Sequence, residues 1–304
     1  MTVLNERLEL MAKLGHYLLQ NNDKLEETIY GAHVQNAWFT IDYTKLAIKN
    51  IVNHFLQIDL LNNWIQKYPK LNQDNTNNTT IGLIMAGNIP LVGFHDFLCI
   101  YIAGFKAKIK LSSKDTILWN HIIDKLSEWD PNFKNQIEIA DMLKNCDAYI
   151  ATGSNQSAQH FVQYFSKFPH IIRHNRTSIA ILPHSLNDNE AFDLETDMSL
   201  FFGLGCRNVS QIWVPEGFDF EKFIAQIKHY QNQMDHHKMK NNYDYQFAMY
   251  ILNKVSYMSN GNLLFVENKE SYAPIAVVNY AYYNTLNDIF EQIDTQKYHL
   301  MYYN

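Results

Sequence analysis

Through residue 72 or so, apolar positions recur every three to four residues, as in Leu46, Ile48, Ile51, Val52, Phe55 and Leu56, which predicts a helical N-terminal region. The opening MTVLNERLELMAKLGHYLL has the same period and reads as an amphipathic helix. A polar run, NQDNTNNTT from Asn72 to Thr80, reads as a loop. Beyond it the pattern changes to short apolar runs separated by helix-period segments. Residues 81–86 predict a strand, 90–103 a mostly apolar helix, 106–111 (KAKIKL) a strand and TILWNHIIDKLSEW a helix. DAYIA at 147–151 and the segment from Asn155 continue the alternation, which is the mark of a parallel α/β sheet.

A second alternation starts near Ser178. It runs through strand SIAIL, a helix from Glu190 to Phe202, strand QIWVP at 211–215, helices over 218–234 and 243–254, and strand NLLFV at 262–266. Two α/β units are expected, with a boundary around 172–178. The run IAVVNYAYY at 275–283 reads as a strand leaving the second unit to rejoin the first, so the expected domains are 1–175 with 276–304, and 176–275.

Composition narrows the function. With 304 residues, 47% hydrophobic and 18% charged, the chain can build a packed core. A net charge of −6 and dispersed basic residues argue against nucleic acid as a partner. No run of 18 apolar residues suggests a membrane span, and the N-terminus lacks a basic n-region and a cleavage site, so a cytoplasmic protein is expected. Cys99, Cys146 and Cys206 are odd in number and far apart, which fits neither a disulfide framework nor a zinc ribbon. His236 and His237 have no HExxH or CxxC partner and read as a solvated face, so no metal is expected. Three of the four arginines, Arg173, Arg176 and Arg207, fall in one short region.

Three passages carry candidate chemistry. In IMAGNIPLVGF (84–94) a strand leads through a turn into a helix with Pro90 near its first turn. Asn88 there is either a turn or cap residue, or an amide donor to a developing oxyanion. In ATGSNQSAQHF (151–161), Gly153 permits close backbone approach, and Ser154 with the helix start forms either a plain cap or a phosphate site. In FFGLGCRNVS (201–210), Cys206 follows two glycines and precedes Arg207, a neighbour of the kind that favours thiolate. It is either a nucleophile or a small packing residue; Cys99 and Cys146 read as packing residues.

In order and spacing these passages resemble the aldehyde dehydrogenase superfamily, most closely its acyl-CoA reductase branch, which includes the fatty acid reductase of bacterial luminescence. The resemblance covers roughly residues 80–283. AGNIP resembles the Asn-Pro segment, which implies the oxyanion role for Asn88. KLSS resembles Lys-Pro-Ser-Glu, so Lys110 and Ser112 would meet the adenosine ribose or its phosphate. TGS resembles the phosphate turn with Gly153 and Ser154, GLGC ends in the implied nucleophile Cys206, and ESYAPI resembles Glu-Ile-Phe-Gly-Pro-Val, whose Glu, here Glu270, holds the nicotinamide ribose. PHIIRHNRTSIAIL and FFGLGCRNVS resemble the reductase branch itself.

The implied fold is two α/β lobes with mainly parallel sheets behind a helical N-terminal region. The implied activity is NAD(P)H-dependent reduction of an acyl thioester to an aldehyde through a Cys206 thioacyl enzyme. Arg173 falls where hydrolytic relatives place a water-activating Glu, and Ser113 replaces an acidic ribose ligand, which favours NADPH while permitting NADH. Acyl-CoA or acyl-protein as donor, an acyl-protein synthetase as partner and a homo-oligomer are further expectations. The chain is shorter than usual for the superfamily and ends soon after Glu270, which suggests either a natural short form or a truncation. Oxidative aldehyde dehydrogenation and a catalytically silent scaffold are the alternatives.

Overall fold

The computed structural model describes residues 3–20, 22–72, 78–153, 155–174, 176–290, 292 and 299–302, and divides into two units, Met1–Asn175 and Arg176–Asn304. In the first unit, four helices open the chain: α1 (Val3–Leu18), α2 (Asp23–Gln35), α3 (Ile41–Phe55) and α4 (Ile58–Ile65). Helix α1 buries Leu4, Leu8, Met11, Leu14 and Leu18, the three-and-four stripe seen in its sequence. Asn22 caps α2 by accepting from Lys24 N and Leu25 N.

There follow β1 (Thr80–Ile84), α5 (Phe94–Ile102), β2 (Lys106–Lys110), α6 (Thr116–Trp129), α7 (Pro131–Lys134), β3 (Ile137–Ile139), β4 (Ala148–Thr152), α8 (Asn155–Phe165) and β5 (His170–Arg173). The strands form a parallel sheet in the order β3-β2-β1-β4-β5. Strand β1 is central, and the three middle residues of TIGLI are buried, as a sheet covered on both faces requires. Phe94, Phe97, Tyr101, Trp119 and Phe133 stack into one aromatic cluster that joins α5, α6 and α7. Each such fully buried ring contributes on the order of 2–3 kcal/mol.

The helix expected over 90–103 starts only at Phe94, so Pro90 is not in its first turn. Leu91 takes φ 55°, a left-handed conformation that no helix interior accepts. Strands β3 and β5 escaped the sequence reading because one has three residues and the other, HIIR, is a half-exposed edge strand with no clear period.

The second unit contains β6 (Ser178–Ile181), α9 (Asp188–Ser199), β7 (Val209–Pro215), α10 (Phe220–Gln226), α11 (His237–Leu252), β8 (Tyr257–Ser259), β9 (Leu264–Glu267), β10 (Val277–Tyr283), α12 (Leu286–Phe290) and β11 (His299–Tyr302). Its sheet has the order β11-β6-β7-β10-β9-β8 and is parallel except for the β8–β9 pair. Strand β10 lies in its centre, bonded to β7 and β9, so the segment expected to return to the first unit stays in the second. Its run VVNYA is wholly buried, which places it mid-sheet.

A capping box between Asn187 and Glu190 starts α9 two residues before the expected Glu190. The helix ends at Ser199 rather than Phe202, because Phe201 and Phe202 take φ 53° and 58° in the 3-10 turn that follows. Among the described residues, no helix is long and apolar enough to cross a membrane.

Candidate active site

In the first sheet the chain runs outward from β1 to β2 and β3, then crosses back to β4 on the other side. The carboxyl ends of strands flanking such a reversal are where open α/β sheets bind ligands. Four expected site residues sit at the carboxyl ends of β1, its neighbour β2, and β4. Asn88 follows β1 and is half-buried, Lys110 is the exposed last residue of β2, Ser112 lies just beyond it, and Gly153 follows β4 with its N–H donated to Arg173 O at 3.3 Å. Ser154 lies outside the described residues. Gly87 joins two of these loops: a Cβ built there would stand 2.4 Å from Ser112 Oγ.

The loop after β1 is held by a residue that the sequence reading missed. The N–H of Leu91 donates to Asp115 Oδ2 at 2.7 Å. Asp115 is the N-cap of α6 yet makes no cap bond to its own helix; it reaches back 24 positions instead. It is 1% exposed, and its Oδ1 has no hydrogen-bond partner among the described residues. Burial raises its pKa to about 7, outweighing the Leu91 N–H and the Trp119 indole, which act the other way. In sequence, an Asp before a helix looks like an ordinary cap, which is why its role was hidden. The segment after β2 that carries Asp115 is tied to α2, because Gln35 Nε2 donates to Ser113 O at 3.1 Å and to Thr116 Oγ1, at the start of α6, at 2.7 Å.

Arg173 ends β5 and forms an ion pair with Asp96 of α5. The Asp96 side chain is 12% exposed. Burial pushes its pKa up, but His95 and Arg173 outweigh this and hold it below the usual carboxylate range. Arg173 is thus a cation with a fixed partner.

In the second unit, Cys206 is exposed in a tight turn before β7. The turn is built around Asn208, a second residue not singled out from sequence. Its Oδ1 accepts from Gly205 N at 2.8 Å, and its Nδ2 donates to Asp197 O at 2.8 Å and Leu200 O at 3.0 Å. Gly205 is needed for this packing, since a Cβ there would fall 2.7 Å from Asn208 Oδ1. Ser178 Oγ donates to Arg207 O at 2.8 Å and Thr177 Oγ1 to Asn208 O at 3.0 Å, so β6 clamps the turn from outside. Phe201, Phe202 and Gly203 all have positive φ on its other flank. For the two phenylalanines this conformation costs on the order of 1–3 kcal/mol each.

Glu270 is exposed in the loop after β9. That loop is stitched to the start of β7 and to β10: Ser210 Oγ donates to Ser271 O at 2.5 Å, Gln211 Nε2 to Lys269 O at 2.9 Å, and, from β10, Asn279 Nδ2 to Glu270 O at 2.7 Å. Strand β7 therefore connects the cysteine turn and the Glu270 loop. Of the other cysteines, Cys146 is buried, whereas Cys99 is only half-buried and does not have the sealed environment expected of it. Among the described residues, no group of three or more His, Cys, Asp or Glu could hold a metal.

No family model and no curated protein sequence matches the chain. Solved structures do. An aldehyde dehydrogenase from Mycobacterium tuberculosis, complexed with NAD+, matches with a TM-score of 0.68 at 14% identity, over 100% of this chain and 78% of that one. An NAD-dependent aldehyde dehydrogenase from Sinorhizobium meliloti matches with a TM-score of 0.71 at 12% identity, over 96% of this chain and 68% of that one. Aldehyde dehydrogenase 21 from Physcomitrella patens, in complex with succinate, matches with a TM-score of 0.67 at 11% identity, over 97% and 72%. At these identities the likeness is one of fold: two α/β units with mainly parallel sheets behind a helical N-terminal region, as the sequence implied.

Proposed function

We propose that the chain is an NAD(P)H-dependent reductase that converts an acyl thioester to an aldehyde. The observation that carries this reading is the Cys206 turn: an exposed thiol in a backbone fixed by Asn208, Thr177 and Ser178, within an aldehyde dehydrogenase-like fold. A rigid turn keeps a nucleophile oriented at no cost during the reaction.

The residues present suit a nicotinamide dinucleotide. The strand order 3-2-1-4-5 is that of dinucleotide-binding sheets, and at its carboxyl ends stand the Lys110 cation, the Ser112 hydroxyl and the bare backbone of Gly153. Ser154 and the Glu270 carboxylate complete the proposed set, and Ser113 adds no negative charge that would repel a 2′-phosphate, which favours NADPH. When bound, the reduced nicotinamide supplies hydride.

The rest of the chemistry belongs to the chain. The Cys206 thiolate attacks the acyl carbonyl, the Asn88 amide and the Cys206 N–H donate to the oxyanion, and the donor thiol leaves. Arg173 has no basic lone pair and is occupied by Asp96, so it does not activate water against the thioester on Cys206. That favours reduction over hydrolysis, and hence the reductase over an oxidative dehydrogenase. Acyl-CoA or an acyl-protein loaded by a synthetase is the proposed donor, and the proposed setting is the cytoplasm.

The test is a pair of assays on the same preparation. Decanoyl-CoA with NADPH is expected to yield NADPH oxidation and decanal in equal amounts. Decanal with NADP+ giving free decanoate and NADPH, without CoA, would instead establish the oxidative enzyme. NADPH binding without turnover in either direction would establish a silent scaffold.

A further inference from the structure

The first unit carries a second thiol that the proposed reaction does not use. Helix α5 is buried along most of its length, through Phe94, Phe97, Leu98, Ile100, Tyr101 and Ile102, yet Cys99 remains half-exposed. His95 lies one turn before it, on the same helix face. The sulfur is 3.8 Å from His95 Nε2 and 4.0 Å from Nδ1. The imidazole has two further neighbours: its ring meets Phe55 edge-on at 5.6 Å, and its Nδ1 is 3.7 Å from Asp96 Oδ1. Asp96 and then Cys99 raise the His95 pKa well above the usual histidine range despite partial burial, so the ring holds its proton at neutral pH.

These side chains face a cleft of about 320 Å³ whose apolar lining is Phe55, Leu60, Leu61, Trp64 and Leu98. That volume lies at the lower end of the roughly 300–1,000 Å³ typical of small-molecule sites, and a greasy lining with a few convergent polar groups is their usual chemistry. His54 and Lys67 add further donors to the lining and no carboxylate, so the cleft suits an uncharged chain attached to an electrophilic or anionic head.

We propose that this cleft is a second acyl site, at which Cys99 accepts the acyl group of an apolar-chain thioester. The Cys99 thiolate forms a new S–C bond at the carbonyl, the old S–C bond breaks, and the departing thiolate takes a proton from His95. The exchange replaces one thioester by another and needs no oxidant or reductant. The choice of a thioester donor rests on the proposed function above; the nucleophile, its acid and its cleft do not.

The experiment uses the full chain as Cys206→Ser, Cys99→Ser and His95→Gln/Cys206→Ser, each mixed with decanoyl-CoA or acetyl-CoA without reductant and read by peptide mass spectrometry over time. Cys206→Ser is expected to be acylated at Cys99, with decanoyl transferred at least ~10²-fold faster than acetyl because the chain enters the cleft. Adding His95→Gln is expected to slow transfer by on the order of 10²-fold. An unlabelled Cys99 in Cys206→Ser overturns this proposal, whether or not Cys206 is labelled in Cys99→Ser. Equal rates with the two chain lengths, or a rate unchanged by His95→Gln, overturn it too. Labelled Cys99 together with an unlabelled Cys206 in Cys99→Ser supports the cleft and refutes the reductase nucleophile instead.

Discussion

The backbone N–H of Leu91 donates to the buried carboxylate of Asp115, 2.7 Å away, and this bond holds the loop that presents Asn88. Because burial raises the Asp115 pKa to about 7, the folded state binds its proton more tightly than the unfolded state does. Its contribution to stability is therefore complete below the unfolded carboxyl pKa, near ~3.9, and is lost as pH rises through about 7. Between pH 4 and 7 it lowers stability by up to ~1.4 kcal/mol per pH unit. Asp115→Asn keeps an acceptor for Leu91 and does not titrate, so urea midpoints followed by tryptophan fluorescence should lose that slope. An identical slope in the variant would contradict the assignment. Asp115→Ala leaves the buried Leu91 N–H unpaired and should cost ~1–3 kcal/mol.

The Arg173–Asp96 pair has the opposite sign. The Asp96 pKa is depressed in the fold, so its contribution is present above the unfolded carboxyl pKa and lost as pH falls through the folded one. Arg173→Met removes one of the two cations beside a largely buried carboxylate, leaving His95, and should destabilise the protein by ~1–3 kcal/mol at pH 7. The difference from wild type should shrink below about pH 4, where the unfolded carboxyl is protonated. A pH-independent difference would show that Arg173 acts through packing alone.

Asn208 binds three backbone groups of the turn that carries Cys206. Asn208→Ala should lower stability by ~1–3 kcal/mol and also slow thiol alkylation or acylation of Cys206, since the positive-φ residues before the turn lose their restraint. A variant with lowered stability and unchanged Cys206 reactivity would make Asn208 a purely structural residue.

Removing the proposed oxyanion donor through Asn88→Ala should cost on the order of 10²-fold in kcat, with little change in NADPH affinity. Steady-state rates with decanoyl-CoA and fluorescence titration of the cofactor separate the two. A loss confined to cofactor affinity would move Asn88 out of the chemistry.

Much of the architecture was legible in the chain because parallel strands buried on both faces are written as continuous apolar runs; SIAI, QIWVP and VVNYA are each read directly. What the runs do not reveal is which neighbours they pair with: VVNYA, expected to leave the second unit for the first, pairs with β7 and β9 inside the second. Short elements with no period, such as IEI and HIIR, were invisible for the same reason. At the candidate site, the residues that sequence alone singles out (Asn88, Lys110, Cys206, Glu270) lie in recognisable strings, whereas Asp115 and Asn208, whose bonds hold the loops, do not. Both look locally like a cap and a turn residue, and their importance comes from bonds to backbone 8 to 24 positions away. Cys99 reads as a packing residue because the apolar string around it, DFLCIYI, conceals a helix face that is left open beside His95.

Intact-protein and peptide mass spectrometry after mixing with decanoyl-CoA in the absence of reductant is the most direct test of Cys206 as the acyl acceptor. In a Cys99→Ser background, one decanoyl group should appear on the Cys206 peptide, vanish in Cys206→Ala, and be discharged as decanal when NADPH is added. A Cys206 peptide that stays unmodified while the folded protein still binds NADPH would contradict it.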